Sequence, residues 1–201
     1  MSLALVSDDL WEAIERYTAE HPTFFIFRCV LVSADSQIGR AADAQRELDR
    51  LGDDGFAGLE TGTEWHFAAS LLAESVAALG AARHAPGLYR ALRPYGAYNV
   101  MNYPELSLGS AERYLGLLAT TMAHWEDAEA HFESAMTANA RMGARPWLAH
   151  TAHDYAAMLL ARGDSARGRA RDLVRDAIGA FGELGMEEWA RRAGRLEQPP
   201  S

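Results

Sequence analysis

The chain has 201 residues, 49% of them hydrophobic, with 19 Lys+Arg against 28 Asp+Glu and a net charge of −9. A chain of this length can bury roughly 70% of its unfolded surface, so one ordinary soluble domain needs neither a disulfide nor a metal to hold its core, and disordered or collagen-like classes are excluded. Residues 1–140 carry net −11 and residues 141–201 net +2, which excludes the clustered basic face that phosphate binding requires and reads the Arg-rich end as helix surface.

All 19 basic residues are Arg, a bias of coding composition and not a functional signal. The stretch Met1–Trp11 carries Asp8 and Asp9 and lacks the basic and apolar regions of a secretory signal. No stretch reaches the ~18–20 apolar residues of a membrane span. The lone Cys29 cannot form an internal disulfide. A cytoplasmic location is expected from these three features, with no membrane partner.

Apolar residues recur at helical spacing almost throughout, and no alternation of period two is long enough to predict a strand. An all-α fold is expected. Asp9 with Glu12 reads as a capping box before a helix over Leu10–Tyr17, and Phe24–Val32 is an apolar helical run containing Cys29. Trp65, Ala68, Ala69, Leu72, Val76 and Leu79 mark a third helical stretch. Ser110 precedes a helix over Ala111–Ala123, and Pro146 suits the first turn of a helix through Leu160. A further helix is predicted over Leu173–Leu184, where Gly179, Gly182 and Gly185 at three-residue spacing are expected to allow close packing on a neighbour. Gly39, Gly80, Gly143, Gly163 and Gly185 each follow a periodic stretch, where a left-handed cap is wanted.

Four segments share one pattern of a turn residue, an Ala, a large apolar residue and a small or apolar residue: Gly39…Ala44–Leu48–Leu51, Gly80…Ala85–Tyr89–Leu92, Ala123…Ala128–Phe132–Ala135 and Gly163…Ala170–Val174–Ala177. Their turn positions are 41, 43 and 40 residues apart. That period fits one helix, a turn and a second helix per unit, with Ala at the close helix crossing. The units run over residues 8–52, 62–94, 110–142 and 146–185, with a terminal helix and tail over 186–201.

Leu115-Gly116, Ala128, Phe132 and Ala135 stand at the spacing of the tetratricopeptide repeat, which the chain resembles, with units about seven residues longer than the usual 34 and Ala140 where the motif ends in Pro. The phrases Arg113-Tyr114-Leu115-Gly116, Ala128-Glu129-Ala130-His131-Phe132-Glu133, Gly143-Ala144-Arg145-Pro146-Trp147 and Asp154-Tyr155-Ala156 resemble the helical-repeat region at the carboxyl end of large bacterial regulators. In those proteins a signal-transduction ATPase is joined to this region, with a LuxR-type DNA-binding or an adenylate/guanylate cyclase domain in some. The resemblance implies a right-handed α-α superhelix of about four units. It also implies a non-catalytic sensor or scaffold role toward a protein or peptide partner, other domains of the same polypeptide included.

In such repeats the first helix of each unit lines a concave face. The motif then places Phe67, Ser70 and Glu74, then Arg113, Leu117 and Thr120, then His150, His153 and Ala157 along a groove. Arg113 offers a bidentate fork to a carboxylate of a partner, or to an internal one such as Asp154. The segment Tyr95–Gly109 interrupts the repeat, and its Tyr98, Asn99, Asn102 and Tyr103 read either as a contact loop or as an ordered connector.

Catalytic and metal signals are weak. His150, His153 and Asp154 share a helix face but lack the third or fourth ligand of a zinc site. Asp8-Asp9-Leu10-Trp11-Glu12 superficially matches a terpene-synthase metal string, and capping at a helix start accounts for it better. Cys29 has no flanking His, no Gly-x-Ser-x-Gly elbow occurs, and a chain without Lys has no phosphate-loop lysine. Neither enzymatic activity nor a cofactor is expected. Two alternatives to a partner groove are a small-molecule sensor, with a pocket between the Tyr95–Gly109 segment and Arg113, His150 and His153, and an assembly module stacking through Phe24, Phe25, Phe27 and Trp189.

Overall fold

The periodic apolar residues fold as helices nearly throughout. The computed structural model describes residues 8–21, 24–56, 59, 64–102, 106–163 and 166–197, of which the side chains of residues 8–10 are not described. Among the described residues are ten α-helices and one two-stranded sheet. They fall into two compact units, the first holding residues up to 95 with 100–108, the second 96–99 with 109 onward.

The first unit holds α1 (Asp8–Glu20), α2 (Phe25–Gln37), α3 (Ala41–Gly52), α4 (Trp65–Leu79) and α5 (Ala85–Leu92). Helix α2 packs on α1, α3 and α4, and α4 packs on α5. Eight of the 15 residues of α4 are buried, because its sequence is apolar on nearly every side and suits a central position. Two of these are serines, and their hydroxyls donate back to the carbonyls of Phe67 and Leu71 at 2.8 Å, so neither is buried without a partner. Leu48, Leu72, Val76, Leu88 and Leu92 are fully buried beside them. In the second repeat segment it is Leu88 that fills the core, while Tyr89 is only half-buried. The spacing points to Tyr89, but the helix starting at Ala85 turns Leu88 inward.

The second unit holds α6 (Ala111–Thr121), α7 (Trp125–Arg141), α8 (Arg145–Arg162), α9 (Arg167–Glu183) and α10 (Glu187–Arg195). Each packs on the next, and α6 also touches α8. Tight contact between α6 and α7 needs Gly116, since a Cβ there would lie 2.8 Å from the Phe132 ring. The alanines of the four segments, Ala44, Ala85, Ala128 and Ala170, are all wholly buried. Their turn positions all have positive φ: Gly39 at 85°, Gly80 at 62°, Ala123 at 57° and Gly163 at 125°. Ala123 carries a Cβ into the left-handed region, which ends α6 two residues short of the predicted boundary.

Two expectations are corrected here. Strands do occur: β1 (Asn99–Asn102) and β2 (Leu106–Ser110) pair within the interrupting segment. They bury Val100 and Leu108, but strands of four and five residues are too short for their alternation to stand out. The glycines of α9 do not serve close packing. A Cβ at Gly179 or Gly182 would meet nothing within 4 Å, and both positions are exposed. Gly179→Ala and Gly182→Ala are therefore expected to stabilise the chain by about 0.5–1 kcal/mol each, the cost of Gly in a helix interior, as read by urea denaturation.

Candidate functional site

Pro146 occupies the first turn of α8, where its missing N–H costs nothing. The helical period then puts His150, His153, Asp154 and Ala157 along one side of α8, and Arg113, Leu117 and Thr120 along one side of α6. The start of α6 is fixed by the Ser110 hydroxyl, which accepts from the Glu112 N–H at 3.3 Å. Buried Asn139 of α7 accepts from the Ser110 N–H at 3.0 Å and donates to the Thr151 hydroxyl of α8 at 3.1 Å. One side chain thereby holds α6, α7 and α8 in register, and nothing in the sequence pattern singles it out.

Between α6 and α8, the Arg113 Nε donates to Asp154 Oδ2 at 2.7 Å, with the two side chains 4% and 11% exposed. Of the two partners the sequence allowed for Arg113, the structure shows the internal one. His153 Nδ1 lies 2.9 Å from the other Asp154 oxygen. Burial alone would raise the Asp154 carboxyl, but the Arg113 charge and the His153 contact outweigh it and hold the group down at about 2.

His150 is 3% exposed and enclosed by rings, with Trp189 at 4.4 Å, Phe181 at 5.1 Å and Trp147 at 5.3 Å between centroids. Among the described residues its Nδ1 has no hydrogen-bond partner. Burial pushes the imidazole down to about 3, and the neighbouring Arg113 charge acts in the same direction. The unfolded chain therefore takes up this proton near pH 6.5 while the folded chain refuses it until about pH 3. Folding stability is unaffected by His150 above pH 6.5 and falls as pH drops through that window, at up to about 1.4 kcal/mol per pH unit. His150→Phe is expected to flatten this acid limb in denaturation measured between pH 7 and pH 4; an unchanged slope would contradict the burial of a neutral imidazole.

The remaining predicted positions are distributed as follows. Phe67, Ser70 and Glu74 lie on α4 in the first unit, Phe67 and Glu74 half-buried and Ser70 1% exposed with its hydroxyl on the Phe67 carbonyl. Asn102 ends β1 in the same unit. Tyr98 and Asn99 belong to the second unit, where Tyr98 is 62% exposed and its carbonyl accepts from the Ala111 N–H. Tyr103 lies outside the described residues. Phe24 is exposed, and Trp189 is half-buried against His150.

Cys29 is wholly buried, and burial pushes its thiol up, away from the nucleophilic thiolate. Among the described residues no group of three His, Cys, Asp or Glu is placed to hold a metal ion, and no helix is long and apolar enough to cross a membrane. The surface depressions of the described residues include one of about 290 Å³ among α1, α2 and α3 of the first unit and one of about 360 Å³ along Glu133–Arg141 of α7 in the second. No family model, curated protein or solved structure matches the chain.

Proposed function

We propose that the chain is a non-catalytic interaction module, a right-handed superhelix of about four helix-turn-helix units of tetratricopeptide type, whose first-helix faces receive a protein or peptide partner. The observation that carries this reading is the arrangement of α6 and α8. First helices of successive segments touch directly and are joined by the Arg113–Asp154 pair, while Leu117, Thr120, His153 and Ala157 stay half-exposed beside it. The wholly buried alanines and the positive-φ turns at a period near 41 residues support the same repeat. By its sequence resemblance, the module serves in a bacterial regulator, where partner binding biases an activation equilibrium of attached ATPase or DNA-binding domains.

The test is capture of a partner from source cells by the wild chain and by Leu117→Glu and Ala157→Glu variants. Both substitutions place charge on the α6/α8 face at half-exposed positions. Each is expected to reduce retention of the partner at least about tenfold, roughly 1.4 kcal/mol, while Ala130→Glu on the exposed side of α7 leaves it unchanged. Equal retention by all three variants would contradict the reading.

A further inference from the structure

The first unit carries a cavity among α1, α2 and α3. Trp11 of α1 and Asp35 of α2 meet at its base, the Trp11 indole N–H donating to Asp35 Oδ1 at 2.6 Å. Asp35 is only 3% exposed, and among the described residues its second carboxylate oxygen receives no donor. Burial pushes this carboxyl up; the Trp11 N–H and the Arg40 charge oppose that, and the Asp43 and Glu15 charges add to it. Such a buried carboxylate wants a cation.

The other charges of the cavity divide into two sets. Asp43 is paired with Arg46, and Glu47 with both Arg28 at 2.5 Å and Arg50 at 3.2 Å, so their charges are already answered. Arg40 forms no such ion pair, although its charge acts on Asp35 from nearby. Its guanidinium lies over the Trp11 ring, 3.6 Å from the centroid, and no carboxylate of the described residues accepts from it. The cation–π contact holds the guanidinium over the indole, and its N–H groups can serve a planar anion. Glu15 likewise lines the cavity without an ion-pair partner among the described residues. What is left is two carboxylates and one guanidinium around an apolar wall of Trp11 and Leu31.

We propose that this cavity binds a free basic α-amino acid: its carboxylate on the Arg40 fork, one of its two cationic groups on Asp35 and the other on Glu15, and its methylenes along Trp11 and Leu31. The ligand's two positive charges and one negative charge complement the residual charges of the wall. A volume of about 290 Å³ sits at the small end of ligand pockets and suits one such molecule. Carboxylate recognition by the Arg40 guanidinium separates a free amino acid from a simple diamine, which lacks that group.

Calorimetric titration of the full chain with L-lysine, cadaverine and L-glutamate tests this. L-lysine is expected to bind saturably at one site, at least about tenfold more tightly than either of the other two. Asp35→Asn keeps an acceptor for the Trp11 N–H, and Arg40→Ala changes an exposed side chain. Both, together with Glu15→Gln, are expected to weaken L-lysine binding at least about tenfold, while Arg175→Ala, on α9, leaves it unchanged. Three results would overturn the proposal: no saturable binding up to about 10 mM L-lysine, cadaverine binding as tightly as L-lysine, or wild-type affinity in either Arg40→Ala or Glu15→Gln.

Discussion

Arg113→Leu is expected to lower the unfolding free energy by about 3–5 kcal/mol, because it removes the partner of a carboxylate that is already out of water. The Asp154 side chain is 11% exposed, and its 2.7 Å bond to the Arg113 Nε is what compensates its desolvation. His153 still contacts the other oxygen at 2.9 Å, which softens the loss without replacing a full positive charge. The double variant Arg113→Leu with Asp154→Leu is expected to recover most of the stability, since an apolar pair of similar volume leaves no orphaned charge. Thermal unfolding followed by circular dichroism distinguishes the cases. For a chain of this size each kcal/mol moves the midpoint by about 2–4 °C, so the single variant melts roughly 10 °C lower. Equal melting of the single and the double variant would mean that the pair does not share a desolvated environment.

Ala128→Glu is expected to cost about 2–5 kcal/mol, from overpacking and from burying a charge. Ala128 is wholly buried in α7, a helix packed on both α6 and α8. One turn further on, Phe132 is pressed against Gly116 so closely that a Cβ there would fall 2.8 Å from the ring. Ala130→Glu, two residues along and exposed, is expected to stay within about 0.5 kcal/mol of the wild chain. Urea denaturation of the two variants makes the comparison, and an unchanged midpoint for Ala128→Glu would sink the repeat assignment.

Much of the helical framework was legible because helix signals are local. Ser110 and Pro146 stand where α6 and α8 begin, and the turn positions Gly39, Gly80, Ala123 and Gly163 all have positive φ. The short hairpin was not legible, since two strands of four and five residues present too few alternations to register against a helical background. The α9 glycines were misread because spacing shows that residues share a face but not which face is covered. At the candidate site, the Arg113–Asp154 pair was one of two partners that sequence allowed, and only the packing of α6 on α8 selects it. Asn139 and the packing of His150 on Phe181 and Trp189 depend on contacts between residues 12 to 39 positions apart, which no local pattern encodes. The Trp11–Asp35–Arg40 cavity is of the same kind: Trp11 lies 24 residues before its acceptor.

On the proposed reading, a partner binds the α6/α8 face. Site-specific photo-crosslinking tests it most directly, with the crosslinking residue placed in turn at Leu117, at Ala157 and at Ala130 and the chain expressed in its source cells. One discrete crosslinked species is expected, shared by the first two positions and absent from the third. A crosslinked partner at Ala130 alone, or none at Leu117 and Ala157, would contradict it.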